Sequence, residues 1–331
     1  MHIVHFLSLL LATPVLGAQY CFLFWCWDDG NGSNAPTPTV QTDLLKTLKK
    51  NPNLTAFANL LAQYPAFLRS LSNSTNYTIF APTNAALKAS KTSSKLKSRS
   101  EKEDLTPGLA LLFVDRGESP PALDARAAVL RTKLTDTKYV NLGRDVSANI
   151  ISEPDLGSGR QNVTLTSGLG KTASIFLSNI DYKHGVIQEA SSVLTPPQPL
   201  DRTLQETNGT NFLNALIKEQ LLDTVANSSR ITVFVPVDSA FRGKQVDSSV
   251  LQQHILEDFL GYTPALAPDQ KHATKGGTSV TISYKQDTCY VNNAKIVRAN
   301  VITKNGVIHY IDDVHPHTLL IAIALAALGA V

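Results

Sequence analysis

Hydrophobic and polar positions along the chain change period several times, and each change predicts an element. Over residues 208–225, Phe212, Leu213, Leu216, Ile217, Leu221 and Val225 recur at helical spacing. Residues 231–235 alternate and are rich in β-branched side chains, which predicts a strand. Pro236 ends that strand's ladder. Asp238 follows with the chemistry of a helix N-cap: a side-chain oxygen able to accept from free amides of the next turn. Residues 278–284 alternate again, 289–291 and 296–301 add further strands, and 307–311 form a last one. Gly276-Gly277 and Asn292-Asn293 mark turns between them. Gly306, just before the last strand, is expected to supply a positive φ. Helices come early and strands late, which is an α+β pattern.

Two phrases of this pattern occur twice, in the same order. Thr78-Ile79-Phe80-Ala81-Pro82-Thr83-Asn84-Ala85-Ala86-Leu87 returns as Thr232-Val233-Phe234-Val235-Pro236-Val237-Asp238-Ser239-Ala240-Phe241. His184-Gly185-Val186-Ile187-Gln188 returns as Asn305-Gly306-Val307-Ile308-His309. A sequence repeated in this way predicts a fold used twice. Pro82 precedes Gly185 by 103 residues and Pro236 precedes Gly306 by 70, so the first copy is longer by 33. Laying residues 129–134 on residues 250–255 makes the distances from Lys133 to Gly185 and from His254 to Gly306 equal, at 52. On that alignment one insertion holds the whole difference. It is placed at about 88–121, where Lys88, Lys91, Lys95, Lys97, Arg99 and Lys102 are joined by Glu101, Glu103 and Asp104 in a charged run. Such a composition reads as a solvated, mobile loop, or as a basic arm for an acidic polysaccharide or anionic surface.

These boundaries divide the chain into a signal peptide at 1–18, an aromatic segment and Gly/Pro linker at 19–39, a first domain at 40–195, a second at 200–315 and an apolar tail at 318–331. Residues 3–16 are mostly apolar, broken by Thr13 and Pro14, with small Gly17 and Ala18 behind them, which fits cleavage. The rival reading keeps residues 3–27 as an uncleaved anchor. The 14 uncharged residues of the tail are short for a span of about 20. Their length suits a lipid-anchor signal, but its spacer would fall inside 305–314, within the repeat. The other reading is a terminal apolar helix lying on the domain or at a membrane.

Composition narrows the class. With 331 residues, 43% hydrophobic and 17% charged, the chain has material for two ordinary cores. A net charge of +3, with no basic stripe among aromatics, argues against nucleic acid as a partner. Sequons at Asn31, Asn53, Asn73, Asn76, Asn162, Asn208 and Asn227 favour an exported glycoprotein. Cys21 and Cys26 lie outside both repeats and can bridge to each other, leaving Cys289 a lone thiol. No Gly-x-Ser-x-Gly, His-Glu-x-x-His, Gly-x-Gly-x-x-Gly or Cys-x-x-Cys occurs, so no catalytic residue, cofactor or metal site is expected. His315-Pro-His317 offers only two metal ligands at a chain end. The weak binding candidates are His254, Asp238 and His309. Each has a plainer role: His254 in an apolar helical stretch as a hydrogen-bonded core residue, His309 as a packed strand residue, Asp238 as a cap.

The first repeated phrase and Asn305-Gly306-Val307-Ile308-His309-Tyr310-Ile311-Asp312 resemble the two motifs of the fasciclin-like domain family. Repeat two matches closely; repeat one is diverged, with Gln188 in place of His309 and Ser191 in place of Asp312. The resemblance implies two tandem α+β domains, each with helices packed on a β-sandwich-like, wedge-shaped core. It implies adhesion at cell surfaces, in matrices or in walls, through proteins, glycans or like domains. Some members carry a Tyr-His pair linked to receptor binding; the positions matched here are Gln253-His254 and Thr132-Lys133. The alternative function is an extracellular or vacuolar protein binding carbohydrate or a small ligand without adhesive action. Membrane or lipid anchorage would run through the tail.

Overall fold

The computed structural model describes residues 21–22, 25–26, 40–73, 75–95, 104–115, 123, 126–155, 162–244, 246–286 and 288–315. The expected signal peptide, most of the linker with Asn31, and the apolar tail lie outside these residues. Among the described residues no helix is long and apolar enough to cross a membrane. In the unit formed by residues 1–38, β1 (Cys21–Phe22) pairs antiparallel with β2 (Trp25–Cys26), and the register sets Cys21 opposite Cys26. The rest forms a second compact unit that contains both repeats.

Repeat one opens with α1 (Val40–Lys50), α2 (Thr55–Ala62) and α3 (Pro65–Arg69). Val40, Leu44 and Leu48 recur every four residues and are fully buried, so one face of α1 seals the core. Each such side chain contributes about 1.5–3 kcal/mol of burial. Then come β3 (Tyr77–Pro82), α4 (Asn84–Lys95), α5 (Thr106–Leu111), β4 (Phe113–Asp115), β5 (Ala128–Arg131), β6 (Asn149–Asp155), β7 (Asn162–Thr166), β8 (Thr172–Tyr182) and β9 (Gly185–Ala190). Repeat two holds α6 (Leu200–Glu206), α7 (Thr210–Lys218), α8 (Leu222–Asn227), β10 (Ile231–Pro236), a 3-10 turn (Asp238–Phe241), α9 (Ser248–Gln252), β11 (Ile255–Leu256), a second 3-10 turn (Thr263–Ala265), β12 (Lys271–Ala273), β13 (Ser279–Lys285), β14 (Thr288–Val291), β15 (Ala294–Thr303) and β16 (Gly306–Ile311).

Each repeat builds one seven-stranded sheet with the same order: β4-β3-β9-β8-β7-β6-β5 and β11-β10-β16-β15-β14-β13-β12. The pairs β3–β9 and β10–β16 are parallel, and every residue of β3 and β10 is buried, so both strands read as apolar runs. The ends of each sheet meet. In repeat one Val114 bridges Thr132, and in repeat two the Lys275 amide donates to the Ile255 carbonyl at 2.8 Å. The core is therefore enclosed by a sheet rolled on itself, with helices over one end.

Four expectations change. The helical pattern at 208–225 is two helices, because Gln220 takes φ 56° and turns the chain between α7 and α8. The middle alignment is corrected by hydrogen bonding: the Phe80 amide donates to Leu112, and its counterpart Phe234 donates to His254. His254 therefore corresponds to Leu112, and Thr132-Lys133 is not the counterpart of Gln253-His254. The 33 extra residues are split, 12 before this point and 21 after it. The stretch at 88–121 is correspondingly not a single loop: it contains the end of α4, α5 and β4, with Leu111 and Phe113 fully buried. Apolar periodicity within it, rather than its lysines, decided the structure. Finally, Gly306 does not have a positive φ, although its counterpart Gly185 does, at 137°. A Cβ on either would lie 1.9 Å from a carbonyl of the parallel neighbour, Ile231 or Tyr77, so close strand approach is the shared requirement.

Candidate functional site

Asp238 and Asn84 follow β10 and β3 in equivalent places, and neither caps its own turn. Asp238 Oδ1 accepts the Asn211 amide at 3.0 Å, at the start of α7. Asn84 Oδ1 accepts the Ala56 amide at 2.8 Å, at the start of α2, while its Nδ2 donates to the Pro52 carbonyl at 2.8 Å. The capping chemistry is as expected, but it is applied across space to the preceding helix, whose free first-turn amides face the strand end. We expect Asp238→Ala to cost about 1 kcal/mol and Asp238→Asn much less, because Asn keeps the acceptor. Urea unfolding of the two variants checks this; equal losses would show that charge, not the cap, matters.

His254 and His309 have no exposed surface. His254 Nδ1–H donates to the Val250 carbonyl at 2.9 Å, and its Nε2 accepts the His315 amide at 3.1 Å. Its ring stacks on His315 with centroids 4.5 Å apart. His309 Nε2–H donates to the Gly261 carbonyl at 2.7 Å. The ring of Phe234 lies 5.8 Å from His309 and 6.3 Å from His315. Burial drives His254 down to about 3, helped by His315, and drives His309 down to about 4. His315 is also lowered, first by burial. All three rings are neutral at pH 7. Asp238 is not part of this group. Among the described residues no three His, Cys, Asp or Glu side chains gather as metal ligands. Cys289 is a half-buried free thiol raised by burial, opposite Tyr284 on β13.

Of the sequon asparagines, Asn53, Asn73, Asn76, Asn208 and Asn227 are exposed, and Asn162 opens β7. Asn73 also uses its Oδ1 to accept the Val40 amide at 3.0 Å, which leaves the nitrogen that a glycan needs.

The joint between the repeats has no counterpart in the sequence-based expectations. Ile151 on β6 leaves its own core and packs with Tyr262, Ile302 and Val307 of repeat two. Around this apolar patch Glu153 accepts from Asn300 at 3.0 Å and from Thr263 at 3.2 Å, and Arg298 donates to the Leu169 carbonyl at 3.0 Å. The Asn141 amide donates to the Lys304 carbonyl at 2.7 Å, and Gly168 bridges Ile302. Asn300 sits in a β15 bulge with φ 57°. Its counterpart Asn179, at φ 44°, instead exchanges two hydrogen bonds with Gln188. His309 replaces Gln188 in repeat two, which releases Asn300 for docking.

The family model of the Fasciclin domain matches residues 52–196 and 207–315. A fasciclin-like arabinogalactan protein of Arthroderma benhamiae is 24% identical over 290 residues, covering 84% of this chain and 67% of that protein. Another, from Cercospora beticola, is 26% identical over 285 residues, covering 81% of this chain and 74% of the relative. The solved FAS1 domain pair from the insect cell adhesion molecule Fasciclin I aligns with a TM-score of 0.37 at 17% identity, over 81% of this chain and 98% of that one. With both repeats matched and both sharing one strand order, the chain belongs to the fasciclin domain family, as two tandem domains.

Proposed function

We propose that this chain is a secreted or cell-surface glycoprotein whose two fasciclin domains act together in adhesion or in association with a matrix or cell wall. The observation that carries this reading is the joint: a buried apolar patch ringed by hydrogen bonds holds the two modules in fixed relation. Two weak surfaces held at fixed spacing gain avidity on a multivalent target without any new contact. Kinship with fasciclin-like arabinogalactan proteins and the exposed sequons support the extracellular setting. The partners we infer are surface or matrix proteins and glycans, and the role is non-enzymatic.

The test presents the glycosylated chain on beads to intact cells and to isolated wall polysaccharide, beside the same chain in monomeric solution form. Bead attachment far exceeding monomer binding supports an adhesive role. Tight saturable binding of the monomer, competed by soluble sugar and not improved by display, sinks it.

A further inference from the structure

The C-terminal side of domain two is held by a short strap, residues 312–315, that follows β16. Asp312 Oδ1 accepts the Lys295 amide at 2.8 Å. Asp313 pairs with Lys244, and Val314 is buried. The His315 amide donates to His254 Nε2, and the two rings stack. Because His254 Nδ1–H already donates to Val250, Nε2 must keep its lone pair. A proton there would set N–H against N–H and cancel the bond that ends the strap. The charged groups acting on His254 are Asp313 and Lys244, with His315 as its titratable neighbour. His315 also faces Asp313 and the Gln253 and Val291 carbonyls. His309 meets the Gly261 carbonyl and the Phe234 ring, and its buried Nδ1 has no partner among the described residues. Protonating His309 would create a buried donor with nothing to accept it.

Domain one lacks this cluster. Strand register and hydrogen bonding place Leu112 where domain two has His254 and Gln188 at His309, and the same offset carried three residues past Ser191 and Asp312 puts the buried Leu194 at His315. Its buried His184 stands at the place of Asn305 instead. We propose that domain two is an acid-released module: the buried imidazoles of His254, His309 and His315 hold the strap closed at neutral pH and let it go on acidification, while domain one keeps its fold.

The sign follows from linkage. Each ring is neutral when folded and binds a proton when unfolded once pH falls below about 6.5. Stability from the cluster is therefore fully present above that pH and is lost as pH falls toward the lowered folded values. His254 and His309 each raise the unfolding constant by up to about tenfold per pH unit in this window, and His315 acts in the same direction. Asp313, held low first by its hydrogen bond from Lys244, weakens the strap only at more acidic pH.

The experiment is hydrogen exchange on the full chain, read by domain and corrected for intrinsic exchange rates, between about pH 6 and about pH 5. The opening constant of domain two is expected to rise about 50-fold or more, with less than about a tenfold rise in domain one. A parallel change in both domains, or none in domain two, overturns the proposal. His309→Gln with His315→Leu installs the domain-one residues and is expected to flatten the domain-two response by about one order of magnitude from His309 alone, with the loss of His315 acting in the same direction. An unchanged slope in that variant also overturns it. Should the variant fail to fold, the domain contrast in the natural chain still decides.

Discussion

Gly306→Ala is expected to unfold domain two or to leave it folded only marginally. Gly306 is the register partner of Ile231 in the parallel pair β10–β16, which has a strand on either side. An added Cβ would sit 1.9 Å from the Ile231 carbonyl oxygen and 2.8 Å from its carbon. Both are backbone atoms, so no rotamer change relieves the clash, and β10 or β16 must move. Overpacking of this kind costs on the order of 3 kcal/mol or more, against about 5–15 kcal/mol of total stability for a domain. Urea unfolding with circular dichroism checks it. Gly185→Ala is expected to be at least as damaging to domain one, since its φ of 137° also resists a side chain. A loss below about 1 kcal/mol in both variants would mean that the strands separate easily there.

Ile151→Asp is expected to uncouple the domains. Ile150 points into the core of domain one, whereas Ile151 points out of it and into the patch with Tyr262, Ile302 and Val307. An unpaired carboxylate in that patch, with the loss of a buried isoleucine, costs about 3 kcal/mol or more of docking. Glu153 alongside adds like-charge repulsion. Calorimetry is expected to show the domain-two transition falling away from that of domain one in the variant, with domain one's own midpoint little changed. A domain-two transition that does not move would show that the surrounding hydrogen bonds carry the joint without the apolar centre.

The repeated phrases were enough to find two copies of one fold, and the strands of repeat two lie close to where alternation placed them. The differences between pattern and structure have physical causes. The anchor at 129–134 matched 250–255 in hydrophobic pattern but not in hydrogen bonding, and the bonds from Phe80 and Phe234, with the strand register beside them, distinguish Leu112 from Lys133. The lysines of 88–102 masked an apolar stretch at 109–114 that completes the sheet. Asp238 and Asn84 were legible as acceptors, yet the amides they satisfy lie 27 and 28 residues away, beyond any local rule. The histidine cluster joins positions 254, 309 and 315, and the joint pairs Ile151 with Ile302; neither has a spacing that a single sequence can announce.

The joint also sets how far such an assembly can grow. It is head-to-tail, uniting different faces of two like domains, and contacts of that kind extend into filaments when the same faces recur free at both ends. Here they do not recur. Strand register puts Asp181 of domain one where domain two has Ile302, and Asp181 is exposed. In domain two Thr281 and Ser283 stand where domain one has Ile151 and Glu153. Val186 keeps the valine of Val307, but at the positions of Ile302, Ile151 and Glu153 the counterparts are polar and differ from the joint. The pair is a dimer written into one chain, and a second copy meets different side chains at these positions, so the contact that holds one chain together is not repeated residue for residue between chains.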